Sequence, residues 1–463
     1  METTINRFLE LFYKISEIPR ESGKEGKFAR FLEEFAKKHH LYCFRDESNN
    51  VLIKKKGNKG SNNPIILQAH IDMVCVKREN SNHNFNIDPI DVIRDGDIIF
   101  AKDTSLGADQ GIGLAIMLLI LESDTIKHPD LECMFTTEEE TTFNGVVNFD
   151  YSKLEGKMLI NLDHCKDDTI IIGSDADICN EYIFEGNLEE NDLQAYEISV
   201  KDIKGGNSGV YIERSDRNAI SVVSEIIHEL QKKDDVFICS INGGESEIDI
   251  ATSCKAIIKT RITDIYNKVK ELNVDGNIQI RELKNELSFS IEDSKRIISQ
   301  ILKLKQGIIK EQDGDIVISG NIGVIDTIEN KVFIQGVLRS IDVGQLKKYN
   351  NENLSISENN HFTVKEIYQD SAWIPNKTSK LLNDFEKAYY RVNGSTPIVE
   401  IAHGGLECSS IMKRTKNMDI ISIGSIIEDF HTVNERMYIS SCEKTIKTLL
   451  EYLKYEEYSG TWS

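Results

Sequence analysis

The chain has 463 residues, 40% hydrophobic and 28% charged, with a formal net charge of −21. That length exceeds one ordinary core and predicts two or three domains of globular composition. So acidic a chain is a poor partner for nucleic acid or an anionic membrane, both of which need clustered Lys and Arg.

None of the nine cysteines forms a CxxC pair, which excludes zinc-ribbon and thioredoxin-like readings. Cys75, Cys133 and Cys239 stand in apolar, strand-like surroundings, as small hydrophobes do. The start at Met1 has no signal-peptide pattern, and no apolar run approaches the ~20 residues that cross a bilayer. A cytoplasmic protein is expected.

Ile5, Phe8, Leu9, Phe12 and Ile15, then Phe28, Phe31, Leu32 and Phe35, recur at helical spacing and predict two amphipathic helices. Short apolar runs at 65–67, 131–135 and 158–162 read as buried strands, with a strongly apolar helix from about Gly107 to Leu121. Their alternation predicts an α/β sheet covered by helices on both faces. After about residue 181 the pattern changes. Tyr196, Ile198 and Val200 alternate as in a half-exposed strand, Ile220, Val223, Ile227 and Leu230 line one helix face, and strands at 236–241 and 254–258 precede a helix with Ile297, Ile301 and Leu304. Near Trp373 the α/β pattern returns, with strands at 397–401 and 420–423. The expected architecture is a mixed-sheet α/β domain of residues 1–181 and 372–463, interrupted by an α+β domain over 182–371.

Four places deliver metal-type ligands at strand or helix ends, where open α/β sheets bind ligands. They are His70-Ile71-Asp72 after a strand, Asp109 bracketed by Gly107 and Gly111 before the apolar helix, the triplet Glu138-Glu139-Glu140, and Asp163. Each alone has an ordinary reading: an Asp before a helix is usually a cap, and acid triplets are usually exposed charge. Together they point to cations, because three adjacent carboxylates repel one another unless positive charge is near.

This ordered set, with a late His431 in Phe430-His431-Thr432, resembles the M20 metallopeptidases. Within them the aminoacyl-histidine dipeptidase branch (Xaa-His dipeptidase, peptidase D) is the closest likeness, through Leu106-Gly107-Ala108-Asp109, Leu159-Ile160-Asn161, His403-Gly404-Gly405-Leu406-Glu407-Cys408 and Glu435-Arg436. The resemblance implies a metallopeptidase catalytic domain interrupted by a lid or dimerisation domain, two divalent metal ions, and a homodimer through the lid. Asp109 would bridge the metals; His70 and Asp163 would hold one, Glu140 and His431 the other. Asp72 would orient an imidazole. Glu139 would be the general base, taking a proton from the attacking water and returning it to the leaving amine. His403 and Glu407 would contact the ends of the substrate. With N and O ligands and no thiolate, zinc is the first expectation, with manganese or cobalt as alternatives.

The chain departs from the family in its middle domain. Where Gly-Gly-His-Ser-Gly is usual, Gly205 to Gly209 carries Asn207, which keeps a neutral donor toward the substrate but cannot be protonated. Thr141-Thr142 replaces a usual Gly, and Asp249-Ile250-Ala251-Thr252 stands where Asn-Ala-Ile-Pro is common. The expected reaction is two-metal hydrolysis of short peptides, as a dipeptidase of aminoacyl-histidine type. An M20-type tripeptidase or N-acyl-amino-acid deacylase is the nearest alternative, and a weakly catalytic metal-dependent binding protein is a different one. A site built only for binding has no need of the second carboxylate, Glu139. The segment Gly206 to Val210 lacks the second Gly of a serine nucleophile elbow.

Overall fold

The computed structural model describes residues 2–455, apart from 59–62, 215–216, 273, 275, 285, 313–314 and 416. Its backbone divides into two units: Met1–Gly173, Trp373–Ile401 and Leu406–Ser463 form the first, Ser174–Ala372 and Ala402–Gly405 the second. The first crossing lies upstream of the 181–182 boundary read from composition. The reason is the strand Ala176–Glu185, which pairs with Lys331–Ser340 and Thr363–Gln369 in the second unit's sheet. The short loop Ala402–Gly405, read from the sequence as part of the closing α/β segment, likewise belongs to the second unit.

The first unit is built on an eight-stranded sheet ordered Tyr42–Arg45, Val51–Lys55, Leu131–Thr136, Ile65–His70, Met158–His164, Asp419–Gly424, Thr169–Ser174, Ile398–Ala402. Its four central strands run parallel, so their C-terminal ends share one edge. In that register His70 lies level with Thr136, and Gln68 with both Met134 and Asn161. Alternation splits these strands between two faces. Leu67, Ala69, Cys133, Phe135, Ile160, Leu162, Ile421 and Ile423 join the helices Glu2–Ser16 and Ala108–Glu122 in one apolar core. Gln68, Asn161 and Ser422 turn the other way and form a buried polar row. The helix Ala108–Glu122 is apolar all round and buried from Ala108 to Leu121, as expected of a helix enclosed by its own domain. It comes close to the sheet at Gly113, where a Cβ would sit 2.9 Å from Leu162 Cβ and 3.2 Å from Ala69 Cβ. A second, four-stranded sheet joins Ile427–Glu428, Arg436–Tyr438, Ile98–Ala101 and Val92–Asp95; these short strands give no alternation long enough to read in the sequence.

The second unit is an antiparallel sheet in which Gln194–Lys201, Cys254–Thr260 and Val236–Gly243 are neighbours. Tyr196, Ile198 and Val200 point into a core with the helices Ala219–Gln231 and Ile291–Lys303. The architecture is thus mixed α/β, as the alternation of elements predicts. Among the described residues no helix is long and apolar enough to cross a membrane.

Candidate metal centre

All five residues expected to hold metal come together at the C-terminal edge of the parallel strands in the first unit. His70 ends its strand, and Asp163 lies near the end of Met158–His164. Asp109 sits at the start of Ala108–Glu122, in non-helical backbone. Glu140 lies in the turn after Leu131–Thr136. His431 is carried by the loop between the paired strands Ile427–Glu428 and Arg436–Tyr438, with φ +62°.

The geometry divides this set in two. His70 Nε2 is 3.2 Å from Asp109 Oδ1 and 3.6 Å from Asp163 Oδ1. His431 Nε2 is 3.2 Å from Asp109 Oδ2 and 2.9 Å from Glu140 Oε2. Each oxygen of Asp109 therefore faces a different histidine with a different second carboxylate. One ligand atom from each of His70, Asp109 and Glu140 falls within a 4.8 Å cluster. Glu140 Oε1 is buried with no hydrogen-bond partner. An uncompensated buried carboxylate oxygen among further carboxylates suits a divalent cation, which would satisfy it.

Asp72 lies beneath the ligands. Its Oδ1 is 3.4 Å from His70 Nδ1. Its oxygens also accept from the backbone N–H of Glu139 and of Glu140, each at 3.2 Å, and from Ser22 Oγ at 2.8 Å. One carboxylate thus lies beside an imidazole and holds the turn bearing the two glutamates, where an outer-sphere partner of a metal ligand would stand.

Electrostatics follow from crowding acids in a buried place. Burial by itself would lower the His70 imidazole, but the charge of Asp163 and contacts with Asp109, Asp163 and Asp72 outweigh it and hold it well above the ordinary range. Burial works the same way on His431, which Asp109 and Glu140 push up to about 11. Burial, then the charge of Asp109, raises Glu140 to about 7 against the pull of His431. Burial, followed by the charges of Glu140, Asp163 and Glu407, lifts Glu139 well above the usual carboxylate range despite His70. A metal ion must therefore displace protons from both imidazoles. Each raised imidazole is protonated below its pKa and must be neutral to ligate, so metal affinity should weaken as pH falls, steeply below about 7 where Glu140 is protonated too. Metal titration at pH 8 and pH 6, in buffers of different ionisation enthalpy, checks this through proton release; equal affinity at both would contradict it.

The three residues expected to contact substrate have the following surroundings. Glu407 is fully buried at the start of the helix Glu407–Arg414. Its Oε2 accepts from Gln68 Nε2 at 2.6 Å and Thr136 Oγ1 at 2.8 Å. Asn161 Nδ2 donates to Gln68 Oε1 at 2.6 Å, and Asn161 Oδ1 accepts from Ser422 Oγ and from the backbone N–H of Asp163 at 3.1 Å. Glu407 thereby belongs to the polar row beneath the ligands and is not exposed to a substrate. Burial pushes its carboxyl up to about 8. His403, in the second unit, has Nδ1 2.6 Å from Asp175 Oδ2 and Nε2 2.7 Å from Ser319 Oγ, so both ring nitrogens are engaged within that unit. Asn207 Oδ1 caps the short helix Ser208–Tyr211 by accepting from Gly209 N–H at 2.8 Å.

Residues outside the expected set contact the candidate ligands. Gln110 Nε2 donates to Asp163 Oδ1 at 2.8 Å, while its Oε1 accepts from Gly113 N–H at 3.0 Å. Arg20 and Glu435 are buried beside Gly107. Arg20 carries no motif, so nothing in the sequence marks it; Glu435 lies in the quoted motif, but a carboxylate there gives no sign of which backbone it serves.

Residues 66–455 match the family model described as peptidase family M20/M25/M40. The chain belongs to this peptidase family. It is a metal-dependent peptidase, and the candidate ligands described above lie inside the matched segment. The cytosol non-specific dipeptidase of Escherichia coli (strain K12) is 28% identical, over 96% of each chain. The crystal structure of aminoacylhistidine dipeptidase from Vibrio alginolyticus superposes with a TM-score of 0.79 at 27% identity, covering 97% of this chain and 96% of that one. A tripeptidase from Staphylococcus aureus shares the fold at 18% identity and a TM-score of 0.62, over 97% and 98%.

Proposed function

We propose that this peptidase is a dipeptidase with two divalent ions, zinc first among them and manganese or cobalt as substitutes. His70 and Asp163 would hold one ion, Glu140 and His431 the other, and Asp109 would contribute to both. The observation that carries this reading is the split of Asp109, whose two oxygens each lie 3.2 Å from a different histidine. When bound, such ions polarise the peptide carbonyl and make water acidic enough to attack at neutral pH.

The residues supply the rest. Asp72 keeps the His70 ring in place and holds the Glu139–Glu140 backbone. Glu139, with its affinity for protons raised, accepts a proton from the attacking water and hands it to the departing amine. The two relatives named as dipeptidases, at 27% and 28% identity over nearly the whole chain, support short peptides, including Xaa-His, as substrates. A cytoplasmic location, and a second unit that serves as lid and homodimer contact, complete the reading.

A dipeptide panel with zinc, manganese or cobalt, including Xaa-His and β-alanyl-His, tests it. Cleavage of dipeptides in preference to tripeptides and N-acyl amino acids is expected. Cleavage of the latter two alone would overturn the dipeptidase assignment.

A further inference from the structure

Glu435 is an acid next to the candidate metal centre whose oxygens are taken up by backbone donors. It is 2% exposed, and it accepts from four successive backbone N–H groups. Oε2 receives Leu106 at 2.7 Å and Gly107 at 3.0 Å; Oε1 receives Ala108 at 2.8 Å and Asp109 at 3.3 Å. The start of a helix leaves its first N–H groups without partners inside the helix. The usual remedy is a Ser, Thr, Asp or Asn at the cap position. Here that position is Gly107, at φ +70°, where a Cβ would lie 2.5 Å from Arg20 Nη2 and 2.8 Å from Met73 Sδ. A capping side chain has no room, so the carboxylate comes from a distant loop.

That loop is the one that carries His431. On the other side of the turn Arg20 donates to the carbonyl of Gly107, to that of Asp72 at 2.6 Å and to that of Ile71 at 3.2 Å. The turn leading into Asp109 is therefore gripped from two directions, by Glu435 at residues 106–109 and by Arg20 at Gly107. One grip leads to the loop of His431, the other to the segment His70–Asp72.

We propose that Glu435 and Arg20 are positioning residues that together set the spacing of the two ion sites. This rests on the two-metal reading above. A carboxylate has about four acceptor positions, and all are taken by backbone donors, so Glu435 acts through Asp109 and is not itself a ligand. The arrangement uses both features of a carboxylate: charge at a helix N-terminus and two oxygens for four donors.

Glu435→Gln separates these features. The amide keeps one oxygen and turns an NH2 group toward backbone N–H donors that it cannot satisfy. Metal affinity, measured by competition with a chromophoric chelator, should fall 10–100-fold, the effect usual for outer partners of metal ligands. At saturating metal, kcat should fall while KM stays within about twofold, and Glu435→Asp, which retains charge and both oxygens, should recover part of the affinity. Unchanged affinity in Glu435→Gln would overturn the proposal. Should that variant not fold, Glu435→Asp and Arg20→Lys carry the same comparison, and wild-type affinity in both would overturn it. If the wild type takes up no metal, the two-metal reading falls and this inference with it. If wild type and variant load alike, this inference alone falls.

Discussion

Replacing Glu139 with Gln is expected to lower kcat by about 10²–10⁴ while leaving metal content at the wild-type level. The two adjacent glutamates differ in surroundings, and the difference assigns their roles. Glu140 Oε2 lies 2.9 Å from His431 Nε2, inside the ligand cluster. Glu139 has no such contact with either histidine, and burial together with the nearby charges of Glu140, Asp163 and Glu407 raises its proton affinity. A group that must take a proton and give it back works best with a pKa near the working pH, which an ordinary carboxylate lacks. Gln has nearly the same shape, and the backbone N–H of residue 139 can still donate to Asp72, so the site should stay assembled. Steady-state kinetics alongside elemental analysis check this. Loss of metal from Glu139→Gln with metal retained in Glu140→Gln would exchange the two roles.

The candidate ligands stood out in the sequence because metal binding constrains residue type and because three of them flank recognisable apolar runs, whereas His431 was marked only by its motif. His70 and Asp163 close buried strands, and Asp109 opens the most apolar helix of the chain. What joins them was not legible. The grip of Glu435 on residues 106–109 spans over three hundred residues of sequence and involves backbone donors, which every residue but proline offers. Arg20 is similar: its partners are three carbonyls, so no complementary side chain marks it. Glu407 was misread for a related reason. A glutamate in a Gly-rich late motif suggests a loop facing the ligand, whereas the residue begins a helix and turns inward to Gln68 and Thr136. Its carboxyl, raised to about 8 by burial, is tolerated there because the neutral acid costs far less to bury than the anion. The chain passes to the second unit ahead of residue 181 because Ala176–Glu185 pairs in that unit's sheet, a long-range pairing that no local pattern marks.

Replacing Asp109 with Asn should have the largest effect of all: at most one ion bound, and kcat lower by about 10³-fold or more, since on the proposed reading its carboxylate would serve both ions. Asp109 is held far below the usual carboxylate range; burial opposes this, but contacts with His431 and His70 prevail. It is thus an anion at any working pH, and Asn cannot be one. The amide would also offer one oxygen where two are used, against either Oδ1 with His70 and Asp163 or Oδ2 with His431 and Glu140. Asp163→Asn is the informative comparison. Asp163 approaches His70 at 3.6 Å and Gln110 at 2.8 Å, and has no such contact with His431 or Glu140. Its loss should weaken one ion and leave the other, so the two variants should differ in metal stoichiometry. If both lose a single ion with equal residual affinity for the second, Asp109 belongs to one site only and does not bridge. If Asp109→Asn still binds two ions with wild-type affinity, the division of the ligands between its two oxygens has no role in holding metal.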